Sequence, residues 1–123
     1  MGARSVRAFL LGPLLATGIA GVASAQSVGG NYSVSGTNPD GSAYTGTAHI
    51  TLKESACRIS WQTGSTTSEG VCMLANNAFA AFYKLGSAFG LVVYELQPDG
   101  KLKGYWRIVD KEGVGGEVLI PRN

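Results

Sequence analysis

Residues 43–53 read AYTGTAHITLK, a stretch in which small or apolar side chains alternate with polar ones. Tyr44 and Ile50 fall on one side of the alternation, and His49 and Thr51 fall on the other. Alternation with a period of two is typical of a β-strand that buries one face and leaves the other in water. The stretch therefore predicts a strand that packs one face against a core.

The same pattern returns along the rest of the chain. Between turn signals such as Asn-Pro-Asp-Gly and Pro-Asp-Gly, the sequence predicts eight short strands: Asn31–Thr37, Ala43–Lys53, Cys57–Thr63, Thr67–Leu74, Ala78–Lys84, Leu91–Gln97, Lys101–Val109 and Val114–Ile120. Eight sequential strands are enough for an antiparallel sheet to close on itself and remove its exposed edges. The predicted fold class is all-β: a small antiparallel up-and-down β-barrel of about eight strands, lipocalin-like or calycin-like in shape.

The strand predicted at Ala78–Lys84 has a helical alternative. Phe79, Phe82 and Tyr83 lie at helical spacing, and Gly86 could end a helix. A helix here would leave the neighbouring strands without sheet partners. The strand is therefore the favoured prediction for this segment.

The N-terminal segment has the organisation of an export signal. It has two arginines near its start, Arg4 and Arg7, continues with an apolar run and ends in Ala23-Ser24-Ala25. The run is shorter than the ~20 residues that a membrane-spanning helix needs. We therefore predict that residues 1–25 are a cleaved signal peptide and that residues 26–123 form a single β-barrel domain. The expected location is periplasmic or secreted, with no membrane anchor after cleavage.

Charge and residue usage exclude several classes of function. The chain has ten Lys and Arg against eight Asp and Glu, and two of the ten are in the predicted signal peptide, so the remaining domain carries no net charge. A basic footprint for nucleic acid is therefore missing. One histidine and two cysteines are too few for a multi-ligand metal site or a conventional triad. We predict no catalytic residues, metal or cofactor, and a solvated side chain for His49.

The two cysteines predict a disulfide. If the chain reverses at Gly64-Ser65, an antiparallel hairpin brings Cys57 and Cys72 opposite each other. An oxidising compartment allows such a pair to form a bond. Two buried free thiols are the alternative.

Two of the predicted hairpins resemble each other within the chain. Each has a Pro-Asp-Gly turn followed by a strand with an inward glycine, Gly46 or Gly104, and an inward isoleucine four residues later. An inward glycine lets a strand coil sharply, or makes room for a large aromatic side chain from across the barrel. Trp61 and Trp106 are the expected occupants of that room.

The same hairpins carry a resemblance to a known family. Residues 32–46 read YSVSGTNPDGSAYTG, residues 59–61 read ISW, and residues 94–106 read YELQPDGKLKGYW. The chain resembles a family of small exported alphaproteobacterial proteins with a YxVxGxNPDGSxYxG signature, some of which are labelled fibronectin-binding proteins. The resemblance implies an exported β domain and brings no catalytic residues with it.

Four aromatic residues are candidates for lining a ligand site: Trp61, Trp106, Tyr32 and Tyr44. The side chains of a small eight-stranded barrel usually fill its interior, so core packing is the favoured role of the two tryptophans. An open interior of a few hundred Å³ would instead indicate a carrier of a small apolar ligand.

A second candidate site lies on the predicted wet face. Lys101, Lys103, Tyr105 and Arg107 form a basic and aromatic stripe along one strand. Such a stripe could bind an acidic partner or a polysaccharide, although a solvated outer face is the commoner role. The favoured function is a non-enzymatic exported barrel that binds an unknown protein or glycan through its surface, as a monomer without a cofactor.

A third functional hypothesis is inhibition of a cell-wall-degrading enzyme. An inhibitor of this kind needs a rigid projecting loop. The sequence offers Gly64–Gly70 and Gly86–Gly90 as the two candidate loops.

Overall fold

The polypeptide closes into one barrel in which every strand pairs antiparallel with its neighbours in sequence. The computed structural model describes residues 27–122, so the predicted signal peptide lies outside the described residues. No helix in this range has the length and hydrophobicity to span a membrane. The strands are β1 (Gly30–Thr37), β2 (Ala43–Lys53), β3 (Ala56–Thr63), β4 (Thr66–Ala75), β5 (Ala78–Leu85), β6 (Ala88–Leu96), β7 (Leu102–Ile108) and β8 (Gly115–Pro121).

Closure is made by β1, which pairs with both β2 and β8. The predicted fold class, an up-and-down barrel of eight antiparallel strands, is therefore confirmed. The predicted strand at Ala78–Lys84 is confirmed as β5. Hydrogen bonding to β4 on one side and β6 on the other holds this segment extended, despite its alanine content.

Two turns are shorter than the sequence predicts. Only two residues connect β3 to β4 and β5 to β6, and each connection begins with a glycine at positive φ, Gly64 at 65° and Gly86 at 61°. Gly70 lies inside β4, as the predicted strand Thr67–Leu74 requires, and Gly90, which falls outside the predicted strands, lies inside β6. The expectation of a projecting inhibitory loop at Gly64–Gly70 or Gly86–Gly90 is therefore wrong.

The two ends of the barrel differ. One end, the closed end, carries the β2–β3, β4–β5 and β6–β7 turns and is filled by side chains. Phe79, Leu102 and Leu119 are completely buried there, and Tyr32 and Val28 lie beside them. The opposite end, the open end, carries the β1–β2, β3–β4, β5–β6 and β7–β8 connections.

The internal repeat is visible in the hydrogen bonding of its two turns. In the first turn, Asp40 Oδ1 accepts a hydrogen bond from the backbone N–H of Ser42 at 2.9 Å. In the second, Asp99 Oδ1 accepts one from the backbone N–H of Lys101 at 3.1 Å. Both aspartates therefore serve local turn structure, as is usual for this residue type. The two turns lie at opposite ends of the barrel.

The predicted disulfide is confirmed. The strand register pairs Arg58 with Val71. Cys57 and Cys72 are one residue further from the β3–β4 turn, and they face each other with their Cα atoms 5.0 Å apart and their sulfurs bonded. The bond closes a loop with a sequence separation of 15, for which the chain-entropy treatment gives about 3 kcal/mol of stabilisation. It therefore pins the β3–β4 hairpin near the closed end.

Candidate functional site

A cavity of about 510 Å³ occupies the open half of the barrel. Asn38 and Gly64 from the turns form part of its mouth, and the inward side chains of the strands form its wall. The wall contains four aromatic residues and one charged residue: Tyr44, Trp61, Tyr83, Trp106 and Glu117. The volume lies within the range of about 300–1,000 Å³ that is typical of small-molecule sites.

Inward glycines determine where three of the aromatic rings lie. Each ring covers a glycine on a neighbouring strand, and a Cβ atom at that glycine would overlap the ring. The pairs are Tyr44 over Gly36, Tyr83 over Gly90, and Trp106 over Gly115. A missing side chain on one strand therefore provides the space for a flat ring from the next strand, and the rings line the wall without filling the interior.

The glycines of the internal repeat, Gly46 and Gly104, do not make room for the tryptophan rings as the sequence predicts. A Cβ atom at Gly46 would overlap the backbone oxygen of Gln62, and one at Gly104 would overlap that of Val93. These two glycines permit a close approach between backbones, which is the sharp coiling alternative. The atoms nearest to these positions belong to the neighbouring strands, at Gln62 and Thr63 or at Val93 and Tyr94, and not to Trp61 or Trp106.

Glu117 is the buried carboxylate of the cavity, with 7% of its surface exposed. Its Oε1 accepts a hydrogen bond from the Tyr44 hydroxyl at 2.6 Å, and its Oε2 accepts one from Trp61 Nε1–H at 2.9 Å. Oε2 also accepts a hydrogen bond from the Tyr94 hydroxyl. Three donors suit an ionised carboxylate, because that group only accepts hydrogen bonds.

The tyrosines around Glu117 remain protonated to high pH. Burial and, after it, the negative charge of Glu117 raise the pKa of Tyr94 well above its ordinary value of 10.0. The same two causes raise the pKa values of Tyr44 and Tyr83. These hydroxyls therefore stay available as hydrogen-bond donors throughout the physiological range.

The raised tyrosine pKa values predict alkaline destabilisation. Above about pH 10 the unfolded chain ionises Tyr94, whereas the folded chain keeps the proton. The unfolded state then binds fewer protons, so the free energy of unfolding falls as pH rises, by up to about 1.4 kcal/mol per pH unit for Tyr94. Below about pH 10 neither state has lost this proton, and the contribution to stability is constant.

Urea unfolding followed by circular dichroism between about pH 9 and about pH 12 measures this effect. Tyr94→Phe is expected to reduce the alkaline slope. Tyr105→Phe, which changes an exposed tyrosine on β7, should leave the slope as it is. An identical slope in Tyr94→Phe and the parent protein would contradict the burial of an un-ionised Tyr94.

The predicted ligand-lining residues divide between the two halves of the barrel. Trp61, Trp106 and Tyr44 are in the cavity wall. Tyr32 is not: it is buried at the closed end, where its hydroxyl accepts a hydrogen bond of 2.8 Å from the backbone N–H of Gly29. Its position early in β1, far from the open end, accounts for the difference.

The predicted surface stripe points outward. Lys103, Tyr105 and Arg107 are exposed on β7, and Lys101 lies in the preceding turn, where its ammonium is 3.5 Å from Asp99. Register places Glu95 opposite Lys103. An opposite charge on the neighbouring strand therefore offsets part of the positive charge of the stripe.

An apolar patch, which shares Tyr105 with the stripe, lies on the outer face of β4 to β7. Its members are large, outward-facing hydrophobic side chains: Val71, Met73, Phe82, Phe89, Leu91, Val93 and Tyr105. Cross-strand register joins several of them in rows, as Val71 faces Phe82 and Phe82 faces Leu91. The expectation of a polar outer face fails here.

Glu117 and Tyr83 are site residues that the sequence analysis missed. Glu117 lies two residues before the fully buried Leu119 on β8, so alternation alone places its side chain on the inward face. Tyr83 likewise shares the inward face of β5 with Phe79. Alternation therefore contains the signal for both residues, although a charged residue such as Glu117 is more typical of the wet face.

The geometry defines a closed up-and-down barrel of eight strands, lipocalin-like in shape, with a cavity in its open half. No protein-family model and no curated protein match the chain. Its fold is similar to that of the REP1-NXSQ fatty acid transporter (TM-score 0.54, 18% identity, covering 77% of this chain and 96% of the other). It is also similar to a de novo designed fluorescence-activating beta barrel (TM-score 0.61, 14% identity, covering 80% of this chain and 97% of the other). A third similar structure is the redesigned beta barrel mFAP1 bound to DFHBI (TM-score 0.63, 15% identity, covering 80% of this chain and 97% of the other). At these identities the similarity concerns the fold.

Proposed function

We propose that the protein binds a small organic molecule inside the barrel and serves as its carrier. The observation that carries this proposal is the cavity of about 510 Å³, open at one end and walled by four aromatic rings. A closed, side-chain-filled opposite half gives the cavity a floor. Sites of this kind combine a mostly apolar wall with a few fixed polar groups, here Glu117 and its tyrosine partners.

The similar structures support the same proposal. One of them is a fatty acid transporter, and another is a designed barrel bound to the small molecule DFHBI. The fold is therefore one in which small molecules are bound. Carriage of a ligand takes precedence over the surface-binding hypothesis, because the interior is open where that hypothesis expected a filled core.

Titration with the neutral, environment-sensitive dye Nile red tests the proposal. We expect saturable binding of one dye per barrel, with a blue-shifted emission. Ile108→Trp should weaken binding at least about tenfold, because Ile108 lines the cavity and a larger side chain would occupy it. Val109→Trp is the matched control, since the neighbouring Val109 is exposed.

Dye binding to the outer face must be distinguished from binding in the cavity. Leu91→Lys changes the centre of the apolar patch and should leave dye binding unchanged. Loss of binding in Leu91→Lys with full binding in Ile108→Trp would contradict the carrier proposal. Absence of saturable binding to the parent protein would contradict it as well.

The apolar patch favours a second candidate function, binding of a protein partner on the outer face of β4 to β7. Soluble monomers seldom expose apolar patches larger than about 300–600 Å², and large patches often mark interaction sites. Phe82 and Phe89 stack there with ring centroids 5.6 Å apart, which gives the patch an ordered aromatic pair. The resemblance to proteins labelled fibronectin-binding makes immobilised fibronectin the first partner to measure.

The variants used for the dye separate the two functions. We expect Leu91→Lys to weaken fibronectin binding at least about tenfold and Ile108→Trp to leave it unchanged. Equal binding by the parent protein and Leu91→Lys would remove the outer patch as the surface that fibronectin contacts.

A further inference from the structure

The cavity contains a negative charge without a positive partner. Glu117 is the one buried charged side chain among residues 27–122, and every lysine and arginine in that range is exposed. The three groups that donate hydrogen bonds to Glu117 are two tyrosine hydroxyls and one indole N–H, all of them neutral. The hydrogen-bonding capacity of the carboxylate is largely used, but its charge is not neutralised.

The rings around this carboxylate are arranged as two aromatic pairs. The ring centroids of Trp61 and Tyr83 are 5.0 Å apart with an interplanar angle of 57°. Those of Tyr44 and Trp106 are 6.4 Å apart with an angle of 68°. The faces of aromatic rings attract cations, most strongly where water is excluded and where several rings surround one charge.

A third group in the wall has an unused hydrogen-bonding function. The indole Nε1–H of Trp106 is buried and has no hydrogen-bond acceptor among residues 27–122. A buried donor without an acceptor is costly, and an acceptor atom on a ligand would satisfy it. The wall therefore offers one donor in addition to a negative charge and four aromatic faces.

We propose that the ligand of this cavity carries an organic ammonium group, bound next to Glu117 among the rings of Tyr44, Trp61, Tyr83 and Trp106. This inference rests on the proposed function. The apolar body of the ligand extends towards the open end, and a neutral acceptor atom on it meets Trp106 Nε1–H. A carboxylate ligand such as a fatty acid is disfavoured, because it would bring a second negative charge beside Glu117 without a cation to separate them.

Three probes of one scaffold test the charge preference: 4-phenylbutylamine, 4-phenylbutan-1-ol and 4-phenylbutanoate. Isothermal titration at neutral pH and low salt is expected to give a Kd for the amine at least about tenfold lower than that for the alcohol. The acid should bind more weakly than the alcohol. This comparison uses the unmodified protein, so it does not depend on whether a variant folds.

Removal of the charge on Glu117 assigns the preference to that residue. In Glu117→Gln the amine should lose most of its advantage, while the Kd of the alcohol changes less than about threefold. Glu95→Gln, a change of an exposed carboxylate on β6, is the matched control and should retain the advantage.

The outcomes separate this inference from the carrier proposal. Equal binding of amine and alcohol, or tighter binding of the acid, would overturn the ammonium inference and leave the carrier function intact. Binding of none of the three probes, together with no saturable binding of Nile red, would overturn both.

Discussion

Phe79→Ala is expected to lower the free energy of unfolding by about 3–5 kcal/mol, the usual range for deletion of a fully buried aromatic side chain. Phe79 is 0% exposed and packs with its ring centroid 6.1 Å from that of Tyr94. It lies near the start of β5, where the closed half of the barrel is filled. Its removal would leave a void at the floor of the barrel, and the surrounding strands can collapse only partly because their hydrogen bonding fixes them.

The control for this prediction is on the same strand. Phe82 faces outward and is 47% exposed, so Phe82→Ala should lower the free energy of unfolding by less than about 1 kcal/mol. Urea or guanidinium unfolding of the three proteins measures both values. Comparable losses of unfolding free energy in the two variants would mean that Phe79 does not face inward and Phe82 does not face outward on β5.

Gly104→Ala is expected to destabilise the barrel by about 3 kcal/mol or more. The added Cβ atom would overlap the backbone oxygen of Val93 on β6. Overpacking costs about 1–3 kcal/mol where side chains can move aside, and a backbone atom held between paired strands has less freedom to move. The effect should therefore lie at or above the upper end of that range.

Gly116→Ala provides the matched comparison on the adjacent strand β8. A Cβ atom at Gly116 has its nearest contact at 3.9 Å, an ordinary packing distance. The expected change is small, within about 1 kcal/mol and of either sign. If thermal and denaturant unfolding gave similar stabilities for Gly104→Ala and Gly116→Ala, the close approach of β6 and β7 would be contradicted.

Period-two alternation was sufficient to predict the barrel from the sequence. The bounds of β2 agree with the predicted strand, and the register of the β3–β4 hairpin follows from the positions of Cys57 and Cys72. Even β5, whose alanines favour a helix locally, is a strand. Pairing on both edges outweighs local propensity, because propensity differences amount to about 1 kcal/mol or less per residue.

The interior was harder to predict, because it depends on residue size across neighbouring strands. Whether Trp106 fills the barrel or lines its wall is decided by Gly115, on which its ring lies. Gly90 has the same function for Tyr83, yet in the sequence it resembles part of a turn. Single-strand patterns contain no information on which glycine faces which ring.

The two faces of the sheet also do not separate by charge as cleanly as the sequence suggests. Glu117 is inside because three hydrogen-bond donors compensate its burial. Leu91 and Val93 face outward because they alternate along β6 with the inward-facing Val92 and Tyr94. The position of a residue in the alternation along its strand therefore predicts whether its side chain faces inward or outward better than the polarity of that residue does.

The proposed function requires that a small ligand binds in the aromatic cavity and not on the outer face. Intermolecular nuclear Overhauser effects from bound 4-phenylbutylamine test this claim directly. We expect cross-peaks from the probe to the indole N–H protons of Trp61 and Trp106. Cross-peaks confined to the methyl groups of Leu91 and Val93 on the outer face would contradict it.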